Sequence, residues 1–324
     1  MSSNDFRIVF MGTPEFAVAS LKALIDSRFN VVAVVTAPDK PAGRGQKLQE
    51  PDVKQFAKNY DIPILQPDKL KDQEFINQLK SYKADLNVIV AFRMLPEVIW
   101  SMPRLGTINL HASLLPQYRG AAPINWAIIN GDKKTGITTF FIEKEIDTGK
   151  IIHSKEVEIT ENDNAGSLHD KLMVSGADLL VNTVTSIKAG SYPQLDQSTT
   201  LPAATVLLPA PKIFKDTCRI NWNDDITKTY NFIRGLSPYP AAWTTFQNLQ
   251  NGETLSIKIF EAKKELTTHK LTSGTIVSDE KTYLKVAVDG GFLEVKTIQL
   301  EGKKKLVIEE FLRGFKNISS YRFV

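Results

Sequence analysis

Cysteine is nearly absent: the 324 residues contain one, Cys218. An internal disulfide is therefore impossible, which excludes a disulfide-stapled secreted scaffold. No uninterrupted apolar run reaches the roughly 18 residues that a membrane-spanning helix needs. The opening residues Met1-Ser2-Ser3-Asn4-Asp5 carry neither the basic nor the apolar block of a secretion signal. A cytoplasmic protein with no membrane association is the expectation. Glycine is sparse where a nucleotide loop would need it. Gly12-Thr13-Pro14-Glu15-Phe16 follows the first apolar run with one glycine, where a dinucleotide fingerprint requires Gly-x-Gly-x-x-Gly. No Gly-x-x-x-x-Gly-Lys-Ser/Thr occurs either, so nicotinamide and P-loop chemistry are disfavoured. The histidines, His111, His153, His169 and His269, lack ligand spacing, and no metal is expected.

What is present is ordinary globular material, 42% hydrophobic and 23% charged, long enough for about two domains. The net charge of +4 is unevenly spread. Residues 209–324 hold 18 Lys plus Arg against 13 Asp plus Glu, a net of +5, while the remainder is close to neutral. A basic half beside a neutral half fits a protein that binds a polyanion with one domain and does chemistry with the other.

The first half alternates apolar runs with amphipathic segments. Strands are expected at Arg7 to Met11, Asn30 to Thr36, Ala84 to Ala91 and Gly106 to Leu110. Helices are expected at Glu15 to Arg28, Pro51 to Tyr60, Asp72 to Tyr82, Pro96 to Trp100 and Ala121 to Asn130. This rhythm predicts a doubly wound, mostly parallel α/β sheet of Rossmann-like type, with ligands bound beyond the carboxyl ends of its strands. Strands at Gly136 to Glu143 and Lys150 to Glu158 would end the sheet as a hairpin, followed by a long helix, Ala165 to Ala189. Four prolines between Gly190 and Pro211 forbid a regular element there, which sets a catalytic domain at 1–189, a linker at 190–211 and a second domain at 212–324. Apart from a helix at Asp225 to Arg234, the second domain reads as short alternating strands, the pattern of a small β-barrel.

The chemistry concentrates in one stretch. Asn109-Leu110-His111 ends an apolar run, Ser113-Leu114-Leu115-Pro116-Gln117-Tyr118-Arg119-Gly120 follows, and Asp147-Thr148-Gly149 closes the next hydrophobic segment. Singly these fragments are commonplace, an edge cap and a turn. Together they supply an amide, an imidazole and a carboxylate without a nucleophile. That set suits acyl transfer to an incoming amine, in which the protein steadies a transient oxyanion and handles protons. Asn109, His111 and Asp147 are the candidate catalytic residues. Arg119 either fixes its loop or meets an anion.

From Asn109 through Gly149 the chain resembles the folate-dependent formyltransferases, which share an Asn-x-His, a Ser-Leu-Leu-Pro-x-Tyr-Arg-Gly loop and a later Asp-Thr-Gly. Pro38 to Leu48, Pro211-Lys212-Ile213, Ser237-Pro238-Tyr239-Pro240 and Gln299 to Lys304 extend the likeness over essentially the whole chain, toward the members that formylate methionyl initiator tRNA. The resemblance implies an oligonucleotide-binding-type (OB-like) barrel and 10-formyltetrahydrofolate as co-substrate. It also implies a cofactor site on Ser113, Leu114, Leu115 and Pro116, with the pterin near Phe92. Phe92-Arg93 departs from the Tyr-Gly usual in the family. The loop Pro38 to Leu48 suits either a solvated surface loop or a grip on a nucleic-acid backbone. The family likeness implies contact with the tRNA acceptor end through Arg44, flanked by Lys40 and Lys47. In the second domain Lys212, Arg234, Lys258, Lys263, Lys264, Lys303, Lys304 and Lys305 either track phosphates or form a solvated face. The expected partners are the folate and methionyl initiator tRNA, with the protein a monomer. The rival readings are a formyltransferase for a small amine such as a glycinamide ribonucleotide or an amino sugar-nucleotide, a formyltetrahydrofolate hydrolase, and a nucleic-acid-binding module.

Overall fold

In the computed structural model, which describes residues 6–42, 47–202 and 204–324, the chain forms two compact units. One comprises Met1–Gly120, Thr135–Val157 and His169–Pro209, the other Ala121–Lys134, Glu158–Leu168 and Ala210–Val324. The sequence pattern predicts a single break at the proline-rich stretch. The units are instead discontinuous, because two short segments around the sheet's hairpin pack with the second core.

In the first unit the apolar runs assemble into a seven-stranded sheet. Its order is Ile64–Leu65, Asn30–Val35, Arg7–Gly12, Leu86–Val90, Thr107–His111, Lys134–Phe141, Ile151–Glu158. The first five pair in parallel, and Thr107–His111 meets Lys134–Phe141 antiparallel. Leu86–Val90 is buried at every position, as a strand covered on both faces must be. The chain runs outward from Arg7–Gly12 to Ile64–Leu65, then returns to the other side of Arg7–Gly12, and this reversal is the switch point at which such sheets bind ligands. Gly12 stands there for packing. A Cβ on it would lie 2.6 Å from Ala17 Cβ and 2.9 Å from the Val90 carbonyl oxygen.

The stretch expected as a linker lies against this unit. Leu195 exchanges two backbone hydrogen bonds with Ile151, both 2.9 Å. The Gln117 side chain donates to Val206 O and accepts from Leu208 N. Prolines bar a helix or a ladder here, but they do not bar single hydrogen bonds to a neighbouring loop.

The second unit is an antiparallel, nearly closed barrel in the order Ile276–Ser278, Leu284–Val288, Gly291–Leu300, Thr254–Leu266, Ala242–Asn248, Tyr321–Phe323. A bridge between Thr275 and Arg322 joins the two edges. The closing strand is three residues long, too short to carry an alternation, which is why the sequence pattern misses it. Thr254–Leu266 is a long strand whose period of two is broken by a register shift after Ile259. Phe246 and Phe323 pack in the core with ring centroids 4.9 Å apart and planes tilted by 34°. The helix Ile226–Leu236 is capped by the Asp225 carboxylate, which accepts from Thr227 N and Lys228 N.

Within this unit Glu161 accepts from Lys133 at 2.7 Å and from Lys264 at 3.1 Å. These two cations, Lys133 first, hold its carboxyl down from 4.5 to about 2. A depressed carboxylate stabilises the fold above its unfolded value and loses that contribution as pH falls toward the folded one. Glu161→Gln is therefore expected to lower stability near neutral pH by less than about 1 kcal/mol, since the group is exposed. Urea midpoints of the two proteins should converge as pH drops from about 4.5 toward 2.

Candidate active site

Alternation along Thr107–His111 puts Asn109 and His111 on one face of the sheet and Leu110 on the other. Leu110 packs beside Gly176 of the helix Ala165–Ala189. Asn109 is half-buried, and among the described residues no hydrogen bond reaches its carboxamide. His111 is buried. Its Nε2 lies 2.8 Å from Tyr118 O, and because a carbonyl oxygen only accepts, Nε2 must carry the hydrogen. The proton-accepting nitrogen is then Nδ1, which lies 3.8 Å from Asp147 Oδ2. That separation exceeds a hydrogen bond. The two groups face one another without a hydrogen bond, and the same carboxylate oxygen accepts from Gly120 N at 2.9 Å.

The loop after His111 is held from inside. Ser113 is fully buried, and its hydroxyl donates to Gln117 O at 2.6 Å. The Thr138 hydroxyl donates to Ser113 O and accepts from Leu115 N. Tyr118 adopts φ 59°, a left-handed conformation that costs a non-glycine residue about 1 kcal/mol or more. Its N–H donates to Leu208 O at 2.7 Å.

The Asp147 turn is fixed by a residue that sequence reasoning missed. Gln197, buried within the supposed linker, donates through Nε2 to Asp147 O and Gly149 O, both 2.8 Å, and its Oε1 accepts from Arg119 Nε and Nη2. Arg119 therefore fixes its loop. Asp147 itself sits at φ 55°. Gly149 has no room for a side chain, since a Cβ would fall 1.7 Å from Phe141 O. The only signal for Gln197 was an amide set among Ser, Thr and Pro, and composition treats that as loop.

The other expected site residues divide. Leu115 belongs to a small core with Phe140 and Ile151, and Pro116 is buried while Leu114 is half-buried. Ser113, Leu115 and Pro116 thus point their side chains into loop packing, so any contact they make with a cofactor would be through the loop backbone. Phe92 packs on the core of the first unit. The departing residue Arg93 covers that ring at 5.6 Å and donates to Asp68 O at 2.9 Å and to Pro67 O. Lys40 is exposed on a short hairpin. Arg44 lies outside the described residues, as does the Lys47 side chain. Lys212, Lys303 and Lys304 are exposed. Arg234, expected among the tRNA contacts, is turned inward. It is buried, its guanidinium donates to Asn231 Oδ1, Thr160 O and Asp163 O, and burial pulls its pKa below the ordinary arginine value. Helical position alone could not distinguish this inward face from an outward one.

A family model described as Formyl transferase matches residues 6–184, and one described as Formyl transferase, C-terminal domain, matches residues 212–316. A curated protein of Bacteroides fragilis named methionyl-tRNA formyltransferase is 56% identical over 315 residues, covering 97% of each chain. One of the same name from Bacteroides thetaiotaomicron is 55% identical over 99% of each chain. Among solved structures, the N-formyltransferase from Helicobacter canadensis in complex with folinic acid and dTDP-3-aminofucose superposes with a TM-score of 0.60 at 19% identity, over 93% of this chain and 100% of that one. At that identity the likeness is one of fold.

Arg234→Ala would leave two buried acceptors, Asn231 Oδ1 and Asp163 O, and one partly buried acceptor, Thr160 O, without this donor, at an expected loss of about 2–3 kcal/mol of unfolding free energy. Lys304→Ala should stay within about 0.5 kcal/mol of the parent, as exposed substitutions do. Chemical denaturation of both variants checks the contrast.

Proposed function

Because the chain belongs to the formyl transferase family, we propose that it moves the formyl group of 10-formyltetrahydrofolate to the amino group of methionine esterified on initiator tRNA, yielding formylmethionyl-tRNA and tetrahydrofolate. The name carried by the near full-length relatives supports methionyl-tRNA as the acceptor, and the folinic acid bound in the Helicobacter canadensis structure is in keeping with a folate co-substrate. The observation that carries the mechanism is the Asn109 carboxamide, an amide donor without a partner among the described residues, beside an imidazole of fixed tautomer.

The amine nitrogen attacks the formyl carbon, and the carbonyl π pair moves onto oxygen. Asn109 then donates its N–H to that oxygen, a bond that strengthens as negative charge builds. The attacking nitrogen gains a positive charge and must shed a proton, while the leaving folate nitrogen must take one up. His111 Nδ1 is the basic atom free to carry it, because Nε2 is engaged by Tyr118. Asp147 Oδ2 is the carboxylate oxygen that faces this nitrogen, at 3.8 Å. Collapse of the intermediate expels the protonated nitrogen of tetrahydrofolate, so no covalent enzyme species is required. The exposed cations Lys40, Lys212, Lys303 and Lys304 would meet tRNA phosphates.

Three measurements test this reading. With folate carrying a labelled formyl group, label is expected on methionyl initiator tRNA, and transfer to a small amine or to water alone would overturn the assignment. Asn109→Ala should lower kcat by about 10²–10³ with little change in KM, the effect of losing one oxyanion donor. Gln197→Leu should also act on kcat, by about tenfold or more, because it frees the Asp147 turn rather than a substrate contact. A loss confined to KM for either variant would contradict its role.

A further inference from the structure

The cations assigned to tRNA so far would meet phosphates only, and nothing yet described would meet a base. The second unit nevertheless holds a cleft of about 710 Å³ in which cations alternate with open aromatic faces. Tyr239 is 83% exposed and Phe214 is 60% exposed. Tyr239 makes no hydrogen bond and no ring contact among the described residues, so the fold gains little from keeping it in water. Exposed rings of this size mark a binding surface when they line a concavity.

The cationic side of the cleft is positioned. The Lys258 ammonium donates to Pro240 O at 3.0 Å, beside Tyr239. The Lys212 ammonium stands 5.5 Å from the Phe214 ring centroid. Lys215 offers its carbonyl to Trp243 Nε1 at 2.7 Å, which leaves its side chain exposed. Trp243 and Lys258 are direct partners in the strand ladder and so share one face of the barrel. Glu301 is the single carboxylate among the lining residues. Three positive charges against one negative, interleaved with rings, are complementary to a chain of phosphates separated by flat apolar groups.

We propose that this cleft is a stacking subsite for unpaired nucleotides, with bases on Tyr239 and Phe214 and the linking phosphates on Lys212, Lys215 and Lys258. The proposal rests on the tRNA reading and extends it from backbone attraction to base contact. Single-stranded nucleic acid is the occupant because a duplex covers its base faces by its own stacking, whereas an unpaired segment presents them. Aromatic rings without aligned edge donors accept any base, so the subsite is tolerant of sequence.

The test uses the full chain and a fluorescein-labelled single-stranded RNA of roughly ten nucleotides, the scale of sites of this kind. In anisotropy titrations the double variant Tyr239→Ala/Phe214→Ala is expected to weaken binding by about tenfold or more, as loss of stacking does. Its dependence on salt should match that of the parent. Lys212→Ala/Lys215→Ala should instead flatten the salt dependence, by about 0.7 in logarithmic slope per lost phosphate contact. A blunt duplex of the same length should bind the aromatic variant and the parent equally. Both rings are exposed, so an unchanged thermal midpoint verifies folding. Undiminished binding of the single strand by the aromatic variant overturns the proposal, as does an equal loss for single strand and duplex. Formylation by the parent protein is measured separately. Formylation without ring-dependent binding removes the subsite and leaves the transferase reading, and the reverse result removes only the latter.

Discussion

The hydrogen bond from His111 Nε2–H to the Tyr118 carbonyl is the constraint on which the site depends. It decides which ring nitrogen holds the resident proton and leaves Nδ1 as the atom that can take one up. The bond requires the Tyr118 carbonyl to turn inward, which in turn requires the left-handed backbone at that residue. The local sequence does not favour such a conformation. It persists because Leu208 O holds the Tyr118 amide, Gln117 grips Val206 and Leu208, and the Ser113 hydroxyl ties back to Gln117 O. A segment some 90 residues away in sequence thus sets the tautomer of the imidazole.

Asp147 is governed in the same manner from the other side. Its turn is closed by Gln197, whose amide satisfies two turn carbonyls while its oxygen accepts from Arg119. Both loops that flank His111 are therefore anchored to the chain between Gly190 and Pro209. The 3.8 Å gap between imidazole and carboxylate follows from that anchoring. The same carboxylate oxygen that faces the imidazole is held in place by the Gly120 N–H.

The second unit separates charge that binds from charge that builds. Arg234 is turned inward onto backbone carbonyls, and Lys264 is consumed by Glu161 and the Tyr230 ring. Lys305 lies over Phe260 at 4.3 Å. Among the cations considered from sequence, Lys212, Lys303 and Lys304 keep exposed side chains without a carboxylate partner among the described residues. Counting charges overstates the polyanion surface, because a guanidinium that caps carbonyls contributes to the fold instead.

The sequence by itself determined the βα rhythm and the barrel, and it singled out Asn109, His111 and Asp147 as the candidate trio. Each of these is written in a local period or a contiguous motif, and side-chain alternation alone puts Asn109 and His111 on one face. Tertiary structure alone decided the proton-bearing nitrogen of His111, the support from Gln197, the burial of Ser113 and Arg234, and the three-residue strand that closes the barrel. All of these depend on partners distant in the chain. A hydrogen bond between residues 50 or more positions apart leaves no periodic trace in either segment, so only the folded coordinates reveal it.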